Sequence, residues 1–336
     1  MADPEGAVAR ASEPVRRWIA MLGATALAFG VVVVALNAGV YSAGGFVDRY
    51  LDALQRRDLA VALETPGVEI PRGVSHAALS RSALGPIGTH TIVGQRDLGQ
   101  GRTGVTAEYA LGGSRERTEF VVESAPPTFL LFAGWRFAVS PVAVADVTVR
   151  NAADFRINGV ALQTAKPDET GDGALAVAVL VPALLVADSR STYLTADPVR
   201  VSLTSPAEAA VTVKVRANDR FQADVQAEVD DFLDTCAGQQ VLQPAGCPFG
   251  KVLQDRVLAP PTWKIASYPQ VTIQPGRPSR EGPVWSVPSA SGVARLSADV
   301  VSLFDGTVSS ADQDVRFAVS FEVTIRPDGG LDILWV

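Results

Sequence analysis

At 336 residues and 47% hydrophobic content, the chain is too long for one ordinary domain and apolar enough to fill the cores of two or three. The net charge of −7 belongs to the residues beyond the first apolar run, because Asp3, Glu5 and Glu13 are balanced by Arg10, Arg16 and Arg17; it argues against a nucleic-acid partner. Arginine far outnumbers lysine, the usage of GC-rich bacterial genomes such as those of actinobacteria.

From Trp18 to Tyr41 no charge interrupts the sequence. As a helix this stretch reaches roughly 36 Å, against about 30 Å for a hydrocarbon core. Arg16 and Arg17 precede it, and Trp18 and Tyr41 mark its edges. Positive-inside and aromatic-belt rules therefore put residues 1–17 in the cytoplasm, a transmembrane signal anchor at 18–41, and the rest outside. A buried core helix is rarely so long and uncharged. A cleaved signal peptide, the stronger rival, has an apolar region of about 7–15 residues before its cleavage site. Both cysteines lie far downstream, which excludes a lipobox.

Residues 46–63 place Phe46, Val47, Tyr50, Leu51 and Leu54 on one helical face and Asp48, Arg49, Asp52, Gln55 and Arg56 on the other. Arg57-Asp58 breaks the stripe before a second short helix that ends at Glu64-Thr65-Pro66-Gly67. The period then becomes two, predicting strands at 89–98, 102–111, 115–123 and 129–139. Phe46, Tyr50, Ala53-Leu54 and Arg57-Asp58, with four strands closing on Gly134-Trp135-Arg136, resemble the nuclear-transport-factor-2-like fold, a curved sheet wrapped around a helix, over residues 44–140. That resemblance implies a cone whose inward residues Tyr50, Leu54, Tyr109, Phe120, Phe132 and Trp135 are candidates for a ligand pocket, with plain core packing as the competing reading.

Beyond Val142 the pattern is strongly β, with Asn158-Gly159 as a two-residue hairpin turn. Further alternation covers 174–186, 192–196, 199–203 and 209–215. Phe155 to Val160 is similar to the strand–turn–strand of PEGA-type β-sandwich domains, expected here over 142–216, with Val181-Pro182 as an echo. Anchor, helix-plus-sheet unit and β unit together are similar to the outer part of the teicoplanin-resistance-associated membrane protein family. The zinc ribbon usual in that family has no counterpart here, so no zinc or sensing role follows.

A C-terminal α+β unit is expected over 218–336. Asn218 is a plausible N-cap, and Phe221, Val225, Val229, Phe232 and Cys236 form one helical stripe. Strands follow at 252–257, 262–268, 271–274, 293–304, 314–325 and 331–336, the last after the Asp328-Gly329-Gly330 turn, with the Pro-rich 275–288 as a loop or a crossover. The fold class is thus α+β: transmembrane helix, helix-plus-curved-antiparallel-sheet domain, β-sandwich domain, and a last α+β domain with one disulfide.

Little of this carries chemistry. His76 and His90 stand in no nucleophile motif, although Ser75 and Ser80 lie near the first. Cys236 and Cys247 do not match zinc spacing. Asp168 to Gly173 shares part of a calcium loop's pattern, but Val179 stands where its bidentate Glu belongs. The acidic residues Asp224, Glu228, Asp230, Asp231 and Asp234 read as a solvated helix face, and Gly99-Gln100-Gly101 and Gly112-Gly113 as strand turns. No cofactor or metal is expected. Outside the cytoplasm Cys236 and Cys247 are expected to pair as a structural disulfide, with a redox pair or free thiols as alternatives. The expected function is a non-enzymatic, membrane-anchored scaffold or interaction protein of the envelope that binds a protein or cell-wall component. Its rival is small-ligand or lipid binding in the cone.

Overall fold

The computed structural model describes residues 13–128, 131–164, 172–277 and 283–335. Its first element, α1 (Glu13–Ala38), is a helix of 26 residues. Among the described residues nothing covers its apolar stretch, and Trp18, Leu22, Leu27 and Phe29 are all more than half exposed. One turn later Ser42 caps α2 (Ala43–Gln55), its hydroxyl accepting from the Gly45 N–H at 3.1 Å. Arg57 takes a left-handed conformation at φ 54°, and Asp58 caps the short α3 (Leu59–Glu64), so the break read at Arg57-Asp58 is where the helix turns. Gly67 (φ 85°) follows, against the backbone of Phe137, which leaves no room for a Cβ.

α2 lays Phe46, Val47, Tyr50, Leu51 and Leu54 on a four-stranded antiparallel sheet. Its strands, β1 (Ile87–Gly99), β2 (Arg102–Leu111), β3 (Ser114–Thr128) and β4 (Phe132–Phe137), run in chain order. Val105, Ala107, Tyr109, Leu111, Phe120, Val122 and Phe137 meet the helix from the sheet side. Each large side chain buried here stabilises the fold by roughly 1.5–3 kcal/mol. The strand expected at 129–139 is shorter, and Phe129 and Leu130 lie outside the described residues.

The β-rich middle is built from β5 (Val142–Arg150), β6 (Asp154–Ile157), β7 (Val160–Gln163), β8 (Asp172–Leu180), β9 (Ala183–Arg190), β10 (Leu194–Leu203), β11 (Glu208–Lys214) and β12 (Arg216–Ala217). They form two sheets, β11-β5-β8 and β12-β10-β9-β6-β7. Val147, Val149, Phe155, Ile157, Val177 and Leu185 share the core between them. Asn158 (φ 47°) and Gly159 (φ 85°) make the expected tight hairpin. The single run read at 174–186 is two strands. β8 pairs with β5, β9 pairs with β6 and β10, and the chain changes sheets at Val181-Pro182, a cis peptide whose proline has no N–H for a ladder. Conversely Leu194 to Ala196, from the run read at 192–196, and 199–203 belong to one strand, β10, irregular around Asp197-Pro198. β11 runs parallel to β5, Glu208 opposite Val144.

α4 (Asp219–Ala237) opens the last part, capped by the Asn218 side chain on the Phe221 N–H. Phe221, Val225, Val229, Leu233 and Cys236 are buried. Leu233 takes the place expected for Phe232, which sits half-buried at the edge of the stripe against Trp335, ring centroids 4.4 Å apart. Beneath lies a six-stranded sheet of β13 (Arg256–Val257), β14 (Thr262–Ser267), β15 (Gln274–Pro275), β16 (Trp285–Val301), β17 (Val308–Ile325) and β18 (Leu331–Trp335). β16 and β17 are longer than expected. The added start of β17 carries Ser309, Ser310, Asp312 and Gln313, where no apolar alternation announces a strand but the ladder to β16 persists, while the added start of β16, Trp285 to Gly292, pairs with Phe317 to Val323 of β17. Leu253 to Asp255 and Val271 to Ile273 are not strand, and part of the Pro-rich 275–288 is, since Trp285 to Pro288 begin β16. The protein is mixed α+β, with an N-terminal apolar helix, a curled half-barrel sheet and one disulfide, Cys236–Cys247.

Candidate functional site

The last turn of α1 is bonded to the sheet without a linker. The Asn37 amide imitates a strand neighbour of β4: it donates to the Leu131 carbonyl at 3.0 Å and accepts from the Ala133 N–H at 2.7 Å. Tyr41 stacks on Phe132 with centroids 4.3 Å apart, and its carbonyl accepts the Trp135 indole N–H at 2.9 Å. Arg49 reaches back from α2 to the Val40 carbonyl, with its guanidinium 5.9 Å over the Tyr41 ring. Gly134 lets this edge approach β3, because a Cβ there would run into the Pro126 carbonyl.

These contacts frame an open groove of about 650 Å³ between α2, α3 and the β3–β4 edge. Tyr41, Phe46, Tyr50, Val61, Pro66, Pro126 and Trp135 give it apolar walls, and Arg49, Glu64 and Arg136 its charges. No family model, characterised protein or solved structure matches this chain.

The six pocket candidates divide. Leu54, Tyr109 and Phe120 are buried inside the sheet's curl, as is the body of Tyr50. Phe120, Phe137 and Tyr50 pack ring to ring, with centroids 5.1–6.1 Å apart. The Tyr50 hydroxyl donates to the Val181 carbonyl at 2.8 Å, and burial pushes its pKa well above the ordinary phenol value. Burial also raises the Tyr109 phenol, partly offset by its 2.5 Å hydrogen bond with Thr118. Phe132 and Trp135 stand at the groove instead, and Tyr50 touches it from below. Sequence reasoning missed Tyr41, Arg49 and Arg136 as site residues. Tyr41 and Arg49 read as a membrane edge and a solvated helix face, and their convergence depends on the linker-free turn at 39–41.

The other chemistry-bearing residues are held in structural contacts. His76 is exposed on a loop, and neighbouring Ser75 bridges to Val177. The His90 side chain is only 6% exposed beneath α2, its Nε2 3.2 Å from Asp48 and 3.7 Å from Asp52, while Nδ1 has no partner. On α4, Asp224 pairs with Arg220, Asp230 accepts from Gln226, and Asp234 accepts the Tyr268 hydroxyl. Most of the Asp168–Gly173 run lies outside the described residues. Among the described residues no cluster of three or more His, Cys, Asp or Glu is placed to hold a metal ion. A second cavity of about 610 Å³, along β6, β7 and β9, is lined by Arg156, Asp154 and Gln163, whose polar groups already pair with Asp188 and with each other.

Proposed function

We propose that the chain is a non-enzymatic, single-pass protein of a bacterial, actinobacterial-type cell envelope. Residues 1–17 lie in the cytoplasm, 18–41 span the membrane, and the remainder stands outside, binding a protein or cell-wall component and holding it at the membrane. The outer part divides into a nuclear-transport-factor-2-like unit at 44–140, a PEGA-type sandwich at 142–216 and an α+β unit at 218–336, similar to the outer part of the teicoplanin-resistance-associated membrane protein family.

One observation carries this reading: the apolar stretch of α1 is left uncovered by the protein it begins. An exposed run of this length in water is a liability that a bilayer removes. The Cys236–Cys247 bond agrees with an oxidising compartment. The sheet and sandwich offer broad faces, and His90 is packed beneath α2 against Asp48 and Asp52. In-cell crosslinking of the outer part, followed by identification of what is captured, is the test. Recovery of neither protein nor wall polymer above an anchor-only control overturns the interaction reading. A C-terminal reporter active only outside the cytoplasm tests orientation, and an inactive reporter reverses it. The groove beside Tyr41 favours a second reading, lipid binding at the first outer unit.

A further inference from the structure

The geometry points to a specific occupant of this groove: the phosphate-bearing headgroup of an anionic phospholipid in the leaflet from which α1 emerges. The inference rests on the membrane-anchor reading above. It goes further by naming the ligand chemistry and the residue that recognises it.

Position comes first. Tyr41, the last residue of the apolar run, forms one wall, so the groove opens where the helix leaves the bilayer. Around it Val40, Val61 and Leu131 are 46–53% exposed, an apolar rim suited to the glycerol and upper acyl region. Tyrosine and tryptophan are the residue types that settle at headgroup depth, and Tyr41 and Trp135 both line the groove. Because Asn37, Trp135 and Arg49 all tie the helix end to the domain, the groove is held at that depth.

Charge comes second. Arg49 has no carboxylate partner among the described residues; it is held by the Val40 carbonyl and the Tyr41 ring, and its other donors remain for a phosphate oxygen. Arg136 also lines the groove but shares Glu123 with Arg102, so it contributes less. Glu64 is the one carboxylate in the lining. A chain of net charge −7 is repelled by an anionic bilayer, and an unpaired arginine at the point of contact offsets that repulsion locally. Size comes third: about 650 Å³ accommodates a headgroup with its glycerol, while the acyl chains stay in the bilayer along α1.

The test uses the full chain, purified from bacterial membranes in mild detergent and weighed by native mass spectrometry. One phosphatidylglycerol-class lipid is expected per chain, in preference to zwitterionic phosphatidylethanolamine. Arg49→Gln is expected to lower its retention roughly tenfold, the loss of one charge-assisted hydrogen bond. Arg49→Lys recovers part of it, and Arg326→Gln, in the last hairpin turn, changes nothing. Equal retention by wild type and Arg49→Gln overturns the site. So does displacement by millimolar inorganic phosphate, which would make it a free-phosphate site, or a peptide found in the lipid's place. Resistance of the same protein to alkaline extraction from membranes reports on the anchor separately. Extraction overturns both readings, whereas integration without lipid preference overturns only the headgroup site.

Discussion

Replacing Cys236 and Cys247 together by alanine removes a link that closes a short loop at the end of α4. The two residues are 11 apart in sequence, with Cys236 buried in the core and Cys247 half-buried above it. In the chain-entropy treatment, leaving a loop of about twelve residues open in the unfolded state costs the fold about 3 kcal/mol. The native loop has other ties. Gln239 exchanges hydrogen bonds with both backbone groups of Ala245, Trp263 donates to the Val241 carbonyl at 2.8 Å, and Lys251 donates to the Leu242 carbonyl. The folded arrangement should therefore survive, and the loss should come from the unfolded side. A serine at position 236 should cost about 1–3 kcal/mol more than an alanine, because its hydroxyl enters an apolar core. Guanidinium unfolding followed through Trp263 and Trp285, both buried in this core, isolates the relevant transition. A shift in midpoint below that expected from about 0.5 kcal/mol, or an equal effect of dithiothreitol on the double variant and the wild type, refutes the reasoning.

Three further outcomes are expected. Gly67→Ala, at φ 85° and against the Phe137 backbone, should cost more than about 2 kcal/mol or prevent α2 from packing on the β1–β4 sheet, measurable as lost soluble yield or lowered Tm. Tyr50→Phe leaves the Val181 carbonyl without its donor and should cost about 1–2 kcal/mol in thermal unfolding; no change would mean that the Tyr50 hydroxyl contributes nothing. The hydrogen bond to Asp234, then partial burial, hold the Tyr268 phenol up to about 12, above its ordinary value of 10.0. A group raised in this way stabilises the fold fully below pH 10 and loses that contribution as pH climbs towards about 12. Alkaline unfolding should steepen over this window in the wild type and flatten in Tyr268→Phe.

Much of the local structure was legible because one-sided burial writes a period into the chain. α2, α4, β2 and the Asn158-Gly159 turn stand where the sequence predicts them. The start of β17 was not, since Val308 to Gln313 are held by the ladder to β16 without apolar alternation, and neither was the start of β16, where Pro283 and Pro288 interrupt the pattern. The crossing at Val181-Pro182 was hidden because strands on both sides of it are buried and read as one apolar run. The pocket candidates mixed two environments. Tyr109 and Phe120 face the inside of the curl, Trp135 and Phe132 its edge, and alternation does not record which part of a curved face closes over. Arg49 carried no local signal, since an arginine on a polar helix face is ordinary until Val40 and Tyr41 are brought beneath it.

The Tyr50 hydroxyl, buried between α2 and the β1–β4 sheet, bonds across to the carbonyl of Val181, where β8 gives way to β9. Val142, Ala178 and Leu180 of the sandwich belong to the same hydrophobic cluster as α2, and Asn158 reaches the Ala83 carbonyl at 2.6 Å. With α1 itself fastened to β4, the path from the apolar helix to the sheets of residues 142–217 holds no slack joint. A pull or torque applied to the sheets of residues 142–217 would be delivered to α1 as leverage, not absorbed by a swivel. Severing the chain between Ser140 and Val142, a natural place to divide it on paper, would expose a shared core and leave two damaged halves.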